Sequence, residues 1–367
     1  MIVDHVRALI SALTENKLNA LVVAAPLSWV LHAVANESPW LFITAAISLI
    51  PLAGLIGLGT DELARRSGPA FGGLLNATFG NAAELIIAIV ALQRRHIGLV
   101  KASITGSIVG NLLLVLGLSF FVGGLGRRTQ TFHRTAATNM SAMLFLAVVA
   151  LVMPAVFDLA VYGNLAAHPA ALDRLSVWSA GVLILAYVGS LIYAFTANRD
   201  LFRSTHEGQD DRPHLTPAAA VSVLAAGTVL TTVQAEILVG ALQPAVSALG
   251  WTELFVGVIV VAVIGNAAEH YSAVVAARRD HMTLAVEIAV GSSAQIALFV
   301  APLLVLYSYA IGHPMSLLFN AFEITAIALS VIATVIVVID GESNWVEGLQ
   351  LVAVYLILAL AFYLAPP

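Results

Sequence analysis

Apolar runs of 18–25 residues recur along this 367-residue chain. Each is long enough to cross about 30 Å of hydrocarbon as a helix. A membrane β-barrel would instead show segments of about ten residues with alternating polarity, and these are absent. Only 10% of the residues are charged and 60% are hydrophobic, with a mean hydropathy of +0.96, whereas soluble domains run near 25% charged. The chain therefore reads as an all-α integral membrane protein.

Eleven spans are expected, near 18–34, 40–60, 69–92, 98–123, 135–157, 175–197, 215–240, 252–276, 283–308, 315–339 and 346–365. Residues 1–36 would hold an interfacial segment and the first span, 37–198 spans two to six, and 215–367 spans seven to eleven. Between the halves, 199–214 is an acidic connection carrying Glu207, Asp210 and Asp211 beside Arg203 and Arg212. The N-terminus lacks the basic, short-apolar and small-residue pattern of a cleaved signal peptide. With the N-terminus inside, twelve of the sixteen Lys and Arg residues fall on the cytoplasmic side, the others being Arg94, Arg95, Lys101 and Arg174. That bias predicts a cytoplasmic N-terminus and a cytoplasmic acidic loop. With no cysteine, thiolate chemistry and a disulfide framework are excluded.

Within this apolar background, Gly80-Asn81-Ala82-Ala83-Glu84 recurs as Gly265-Asn266-Ala267-Ala268-Glu269. A carboxylate at the centre of a membrane helix costs roughly 2.5–3.5 kcal/mol on insertion scales and is rarely idle. At a fixed offset of 185, Gly80–Ser107 aligns without a gap on Gly265–Ser292, with 13 identities in 28 positions. Such register marks an internal duplication. If each copy has five spans, the odd number inverts the second copy, and the expected fold is one N-terminal helix followed by two inverted five-helix repeats. In secondary transporters built this way the site lies at the midplane between the halves.

The repeated motif supplies hard-cation chemistry. Gly80, Asn81 and Glu84 share a helix face, as do Gly265, Asn266 and Glu269. Glycine permits a local break that frees a carbonyl oxygen, and Asn offers a neutral oxygen and two donors. Carboxylate, amide and carbonyl oxygens are the ligands Ca2+ takes. The next span in each half adds Ser107 and Asn111, or Ser292, Ser293 and Gln295. The match is imperfect, because Gln295 aligns with Gly110 and Asn111 with Ile296.

Each assignment has a plainer rival. Small and hydroxylic residues in membrane helices often serve only close packing or interhelical hydrogen bonds. Glu287 aligns with Ala102 and is equally readable as functional or interfacial. Asp61, Glu62 and Glu236 sit near span ends, where solvation is the simpler reading. His270 follows Glu269 and is turned about 100° from its face, which favours local hydrogen bonding or nearby proton transfer over ligation. Lys101 reads as a snorkelling or topology residue.

The runs Leu75-Asn76-Ala77-Thr78-Phe79-Gly80-Asn81-Ala82-Ala83-Glu84 and Gly106–Gly117 resemble the first signature of Ca2+/H+ antiporters. Gly265–His270 with Gly291–Pro302 resembles the second. These are the CAX proteins of the cation/Ca2+ exchanger superfamily, and the resemblance extends to the layout of one plus five plus five spans. It implies that Glu84 and Glu269 bind Ca2+ and H+ in turn, with Asn81, Asn266, Ser107, Ser292 and Gln295 as polar neighbours. The Asn-Ala-Ala-Glu spelling departs from the Pro-Glu motifs of Na+/Ca2+ exchangers. The short acidic segment is diluted by Arg and His, which weakens any regulatory role carried over from relatives.

Two buried carboxylates facing one another titrate as a coupled pair. Burial and repulsion disfavour the empty, doubly ionised pair, so the site is neutral with one Ca2+ or with two protons. That implies obligatory exchange by alternating access, with about two H+ per Ca2+ as the simplest count. The rival on the same fold is a Na+ or K+/H+ antiporter, or a Na+/Ca2+ exchanger. An intramembrane hydrolase would need a base near Gly291-Ser292-Ser293 or a His-Glu-x-x-His run, and the sequence has neither; a passive channel would lack proton coupling. No cofactor and no nucleic-acid partner are expected. The partners are the transported ions and the lipid bilayer, with a homo-oligomer left open. Compact loops fit a prokaryotic cell membrane, a vacuolar one being the alternative.

Overall fold

The structure, a computed structural model, describes residues 17–163, 169–197 and 215–365. The N-terminal segment before residue 17 and the acidic connection at 199–214 lie outside the described residues.

The chain is predominantly helical. A 3-10 turn at Lys17–Val23 leads into α1 (Ala24–Val34), α2 (Pro39–Phe79), α3 (Ala82–Gln93), α4 (Ile97–Gly124), α5 (Arg134–Tyr162) and α6 (Pro169–Ala197). After the connection come α7 (Pro217–Gly240), α8 (Leu242–Leu249), α9 (Glu253–Gly265) and α10 (Ala267–Arg278). The last three are α11 (Met282–Ala310), α12 (Ala321–Val338) and α13 (Trp345–Leu364). Two short strands, β1 (Gln130–Thr131) and β2 (Glu342–Ser343), pair antiparallel.

Among the described residues, eight helices are long and apolar enough to cross a membrane, or nine if α8 and α9, bent by 113°, form one broken span. Eleven spans were expected, and the difference lies mostly near the N-terminus. The first expected span appears as a shorter apolar helix, Ala20–Val34. The next two are not separated near residue 65, because α2 runs on for 41 residues. The run Asp61–Arg66 is charged, but Glu62-Leu63-Ala64-Arg65-Arg66 are good helix formers, with Glu62 and Arg66 one turn apart. The chain breaks instead at Gly80-Asn81, leaving α3 only 12 residues.

The helices group into two compact units, and both draw on both halves of the sequence. One comprises the described residues up to Val90, with Leu191–Trp251 and Ile264–Ala268. In it α2 and α7 pack through glycines: a Cβ on Gly59 would lie 2.8 Å from the Leu224 backbone nitrogen, and one on Gly227 would lie 3.1 Å from Ile56. Such small-residue contacts are how membrane helices approach closely. Glu62, expected to be solvated, is buried and accepts the Leu215 N–H at 3.0 Å. Arg66 donates to the Leu215 carbonyl, so two α2 side chains hold both polar groups of the residue before the α7 cap.

The other unit comprises Ala91–Ser190, Thr252–Val263 and Glu269–Pro367. Here α4 meets α9 almost backbone to backbone, because Gly106 faces the Val258 carbonyl and Gly257 faces Ala102. Helix α13 closes on α4 where Gly348 and Gly117 meet. Lys101 is not a free snorkelling residue: its Nζ donates to the Leu318 carbonyl at 2.8 Å. Trp178, Leu185 and Leu364, by contrast, are 72–77% exposed, as expected of a lipid-facing surface.

Candidate ion-binding site

Both copies of the repeated motif interrupt a helix. Helix α2 ends at Phe79, Gly80-Asn81 form a turn, and α3 starts at Ala82 with Glu84 in its first turn. In the second copy α9 ends at Gly265, Asn266 forms the turn, and α10 starts at Ala267 with Glu269 in its first turn. The Gly-Asn pair thus gives the break its sequence suggested. Broken helices at membrane depth occur where protein or a cavity satisfies the freed backbone groups. A carboxylate in a first turn also gains from the helix dipole, typically 0.3–1 kcal/mol at exposed sites.

The spelling Asn-x-x-Glu is that of a capping box, and the chain uses it twice more in that way. Asn320 with Glu323, and Asn344 with Glu347, exchange hydrogen bonds with each other's backbone N–H at the starts of α12 and α13. Glu84 lies against Gly265, where an added Cβ would sit 3.3 Å from both its Cγ and its Oε1. Glu269 receives a hydrogen bond from Ser292, while its Oε2 is buried with no hydrogen-bond partner. An orphaned buried carboxylate oxygen is costly unless a proton or cation meets it.

The remaining predicted residues fall as follows. Asn81 and Asn266 are buried, Gly80 is exposed, and Glu84 is half-buried. Ser107 and Asn111 are buried on α4, and Ser292 and Ser293 are buried on α11. Ser293 bonds the Ala289 carbonyl of its own helix at 2.9 Å, whereas Ser292 accepts from Asn111 Nδ2 at 3.2 Å. Gln295 stands at the end of the regular part of α11, before a π-helical stretch at Ile296–Val300. Its repeat counterpart Gly110 opens a second such stretch, Gly110–Val115, which contains Asn111. Stretches of this kind are often found at functional sites, and nothing in the sequence reading announced them. Among the described residues no group of three His, Cys, Asp or Glu is placed to hold a metal ion. A cation here would draw on neutral oxygens as well as carboxylates.

The 185-residue register is matched in backbone detail. Arg95 and Asp280, 185 apart, have the only positive φ angles among described non-glycine residues, 64° and 69°. Each turn is closed alike, by His96 N–H to Ala91 O at 2.9 Å and by His281 N–H to Ala276 O at 3.0 Å.

The model of the family described as sodium/calcium exchanger protein matches residues 37–196 and 219–364. The chain belongs to that family. It is a family of transporters, and this member is an integral membrane protein. The Ca2+/H+ antiporter of Synechocystis sp. is 41% identical over 364 residues, covering 94% of this chain and 96% of that one. The Ca2+/H+ antiporter ChaA of Bacillus subtilis is 41% identical over 355 residues, covering 95% and 99%. The solved structure of native YfkE superposes with a TM-score of 0.81 at 40% identity, over 95% of this chain and 100% of that one. The H+/Ca2+ exchanger CAX has the same fold, with a TM-score of 0.68 at 14% identity over 95% of this chain and 91% of that one.

Proposed function

We propose that this protein exchanges cytoplasmic Ca2+ for H+, with Glu84 and Glu269 taking Ca2+ or protons in turn. One observation carries the reading: both Gly-Asn-Ala-Ala-Glu copies break a helix and set their glutamate in the first turn after the break. Relatives named Ca2+/H+ antiporters, similar over nearly the whole chain, support the choice of ions. The matched turns at Arg95 and Asp280 support two five-helix repeats, and the Lys and Arg bias supports a cytoplasmic N-terminus.

In this account Gly80, Gly265, Asn81, Asn266, Ser107, Asn111, Ser292 and Gln295 supply neutral oxygens or orient the carboxylates. Leaving two carboxylates empty and ionised away from water is unfavourable, so the transporter changes face when loaded with Ca2+ or with protons. Proton entry then drives Ca2+ out. The test is Ca2+ uptake into proteoliposomes with an acid interior. Uptake should depend on the pH gradient and be abolished by Glu84→Gln and by Glu269→Gln. Uptake that survives either change would sink the two-carboxylate account, and uptake driven only by a Na+ gradient would reassign the counter-ion.

A further inference from the structure

The two motifs are spelled alike, yet the surroundings of Glu269 include a chain of hydrogen bonds whose members are not all repeated. His270 Nε2 lies 3.1 Å from Asn111 Oδ1. Asn111 Nδ2 donates to Ser292 Oγ at 3.2 Å, and Ser292 in turn bonds the Glu269 carboxylate. All four residues belong to one compact unit. At the offset of 185, His270 corresponds to Leu85 and Asn111 to Ile296, so neither of the first two members has a polar counterpart.

The chain has a fixed direction. An amide oxygen only accepts and an amide nitrogen only donates. His270 therefore presents Nε2–H to Asn111, and Asn111 presents N–H to the serine oxygen. With its oxygen accepting from Asn111, Ser292 has its own proton left for the carboxylate. Glu269 Oε2 has no partner, so the serine bond falls on Oε1. Without Asn111, the default for a helical serine is the carbonyl one turn back, as the neighbouring Ser293 illustrates with Ala289.

We propose that His270 is a positioning residue for cation binding. Its Nε2–H orients Asn111, which aims Ser292 at one oxygen of Glu269 and leaves Oε2 presented to the ion. The inference rests on the reading of Glu269 as the group that meets Ca2+ and protons. It also gives the unmatched pair Asn111 and Ile296 a role: the second carboxylate is pre-oriented by a device the first half does not repeat.

The test replaces each residue by its repeat counterpart, His270→Leu and Asn111→Ile, singly and together, with His270→Gln retaining an N–H donor. Half-saturating Ca2+ and maximal rate are read from gradient-driven uptake, and folding from thermal melting. His270→Leu should raise half-saturating Ca2+ about tenfold, the scale of a hydrogen bond to a charged group, with a smaller change in maximal rate. The double variant should be no worse than either single one, because both break the same chain, and His270→Gln should recover most of the loss. Unchanged half-saturation in His270→Leu, or multiplied effects in the double variant, would overturn the proposal. If His270→Leu does not fold, His270→Gln and Asn111→Ile decide: the first must bind Ca2+ near the wild-type level and the second must not. An inactive wild type would refute the functional reading itself, and this inference with it.

Discussion

Gly265→Ala separates site geometry from stability. The new methyl carbon would lie 3.3 Å from Glu84 Cγ and Oε1 and 3.6 Å from Cδ. Comfortable carbon contacts lie near 3.5–4.0 Å, so Glu84 must retreat by a few tenths of an ångström. A full 1 Å misplacement can cost about 100-fold; this smaller shift, with a methyl group against Oε1, should cost about 1 kcal/mol, or roughly fivefold in half-saturating Ca2+. Stability should move the other way or not at all. Gly265 closes α9 with helical backbone, where alanine is favoured by up to about 1 kcal/mol. Gly291→Ala is a matched control, because its methyl would meet Met140 at an ordinary 3.8 Å. The assay is the Ca2+ dependence of gradient-driven uptake, with thermal melting of the same preparations. Unchanged half-saturation in Gly265→Ala, or an equal rise in Gly291→Ala, would refute the reasoning.

Other substitutions probe the scaffold. Gly106→Ala drives a methyl into the Val258 carbonyl, and overpacking of this kind typically costs 1–3 kcal/mol; the melting temperature should fall by several degrees, and an unshifted melt would contradict the close α4–α9 contact. Asn320→Ala removes the α12 capping box and should cost about 1 kcal/mol of stability while leaving half-saturating Ca2+ unchanged. Protons and Ca2+ compete for the same carboxylates, so half-saturating Ca2+ should rise as pH falls; a pH-independent value would argue against shared ligands.

The sequence made the site's frame legible and left its connections hidden. Gly-Asn before each glutamate permitted the two helix breaks, and the 185-residue register runs through the paired turns at Arg95 and Asp280, which the spelling did not single out. The continuity of α2 did not show, because the charges from Asp61 to Arg66 look like a loop although Glu62 to Arg66 favour helix. Glu62 and Lys101 looked like interfacial charges, since their partners Leu215 and Leu318 lie 153 and 217 residues away. His270 points off the Glu269 face, which favours a hydrogen bond over ligation, but its partner Asn111 comes from α4 and could not be named from the sequence. Periodicity along one helix carries no information about which polar group a second helix will offer.

The most direct measurement is the number of protons released when purified protein binds Ca2+ in weakly buffered solution, at a pH where the carboxylates are protonated. Sequential occupancy by Ca2+ and protons predicts release of up to about two H+ per Ca2+, falling in Glu84→Gln and in Glu269→Gln. Tight Ca2+ binding without proton release, or release unaffected by either change, would contradict it.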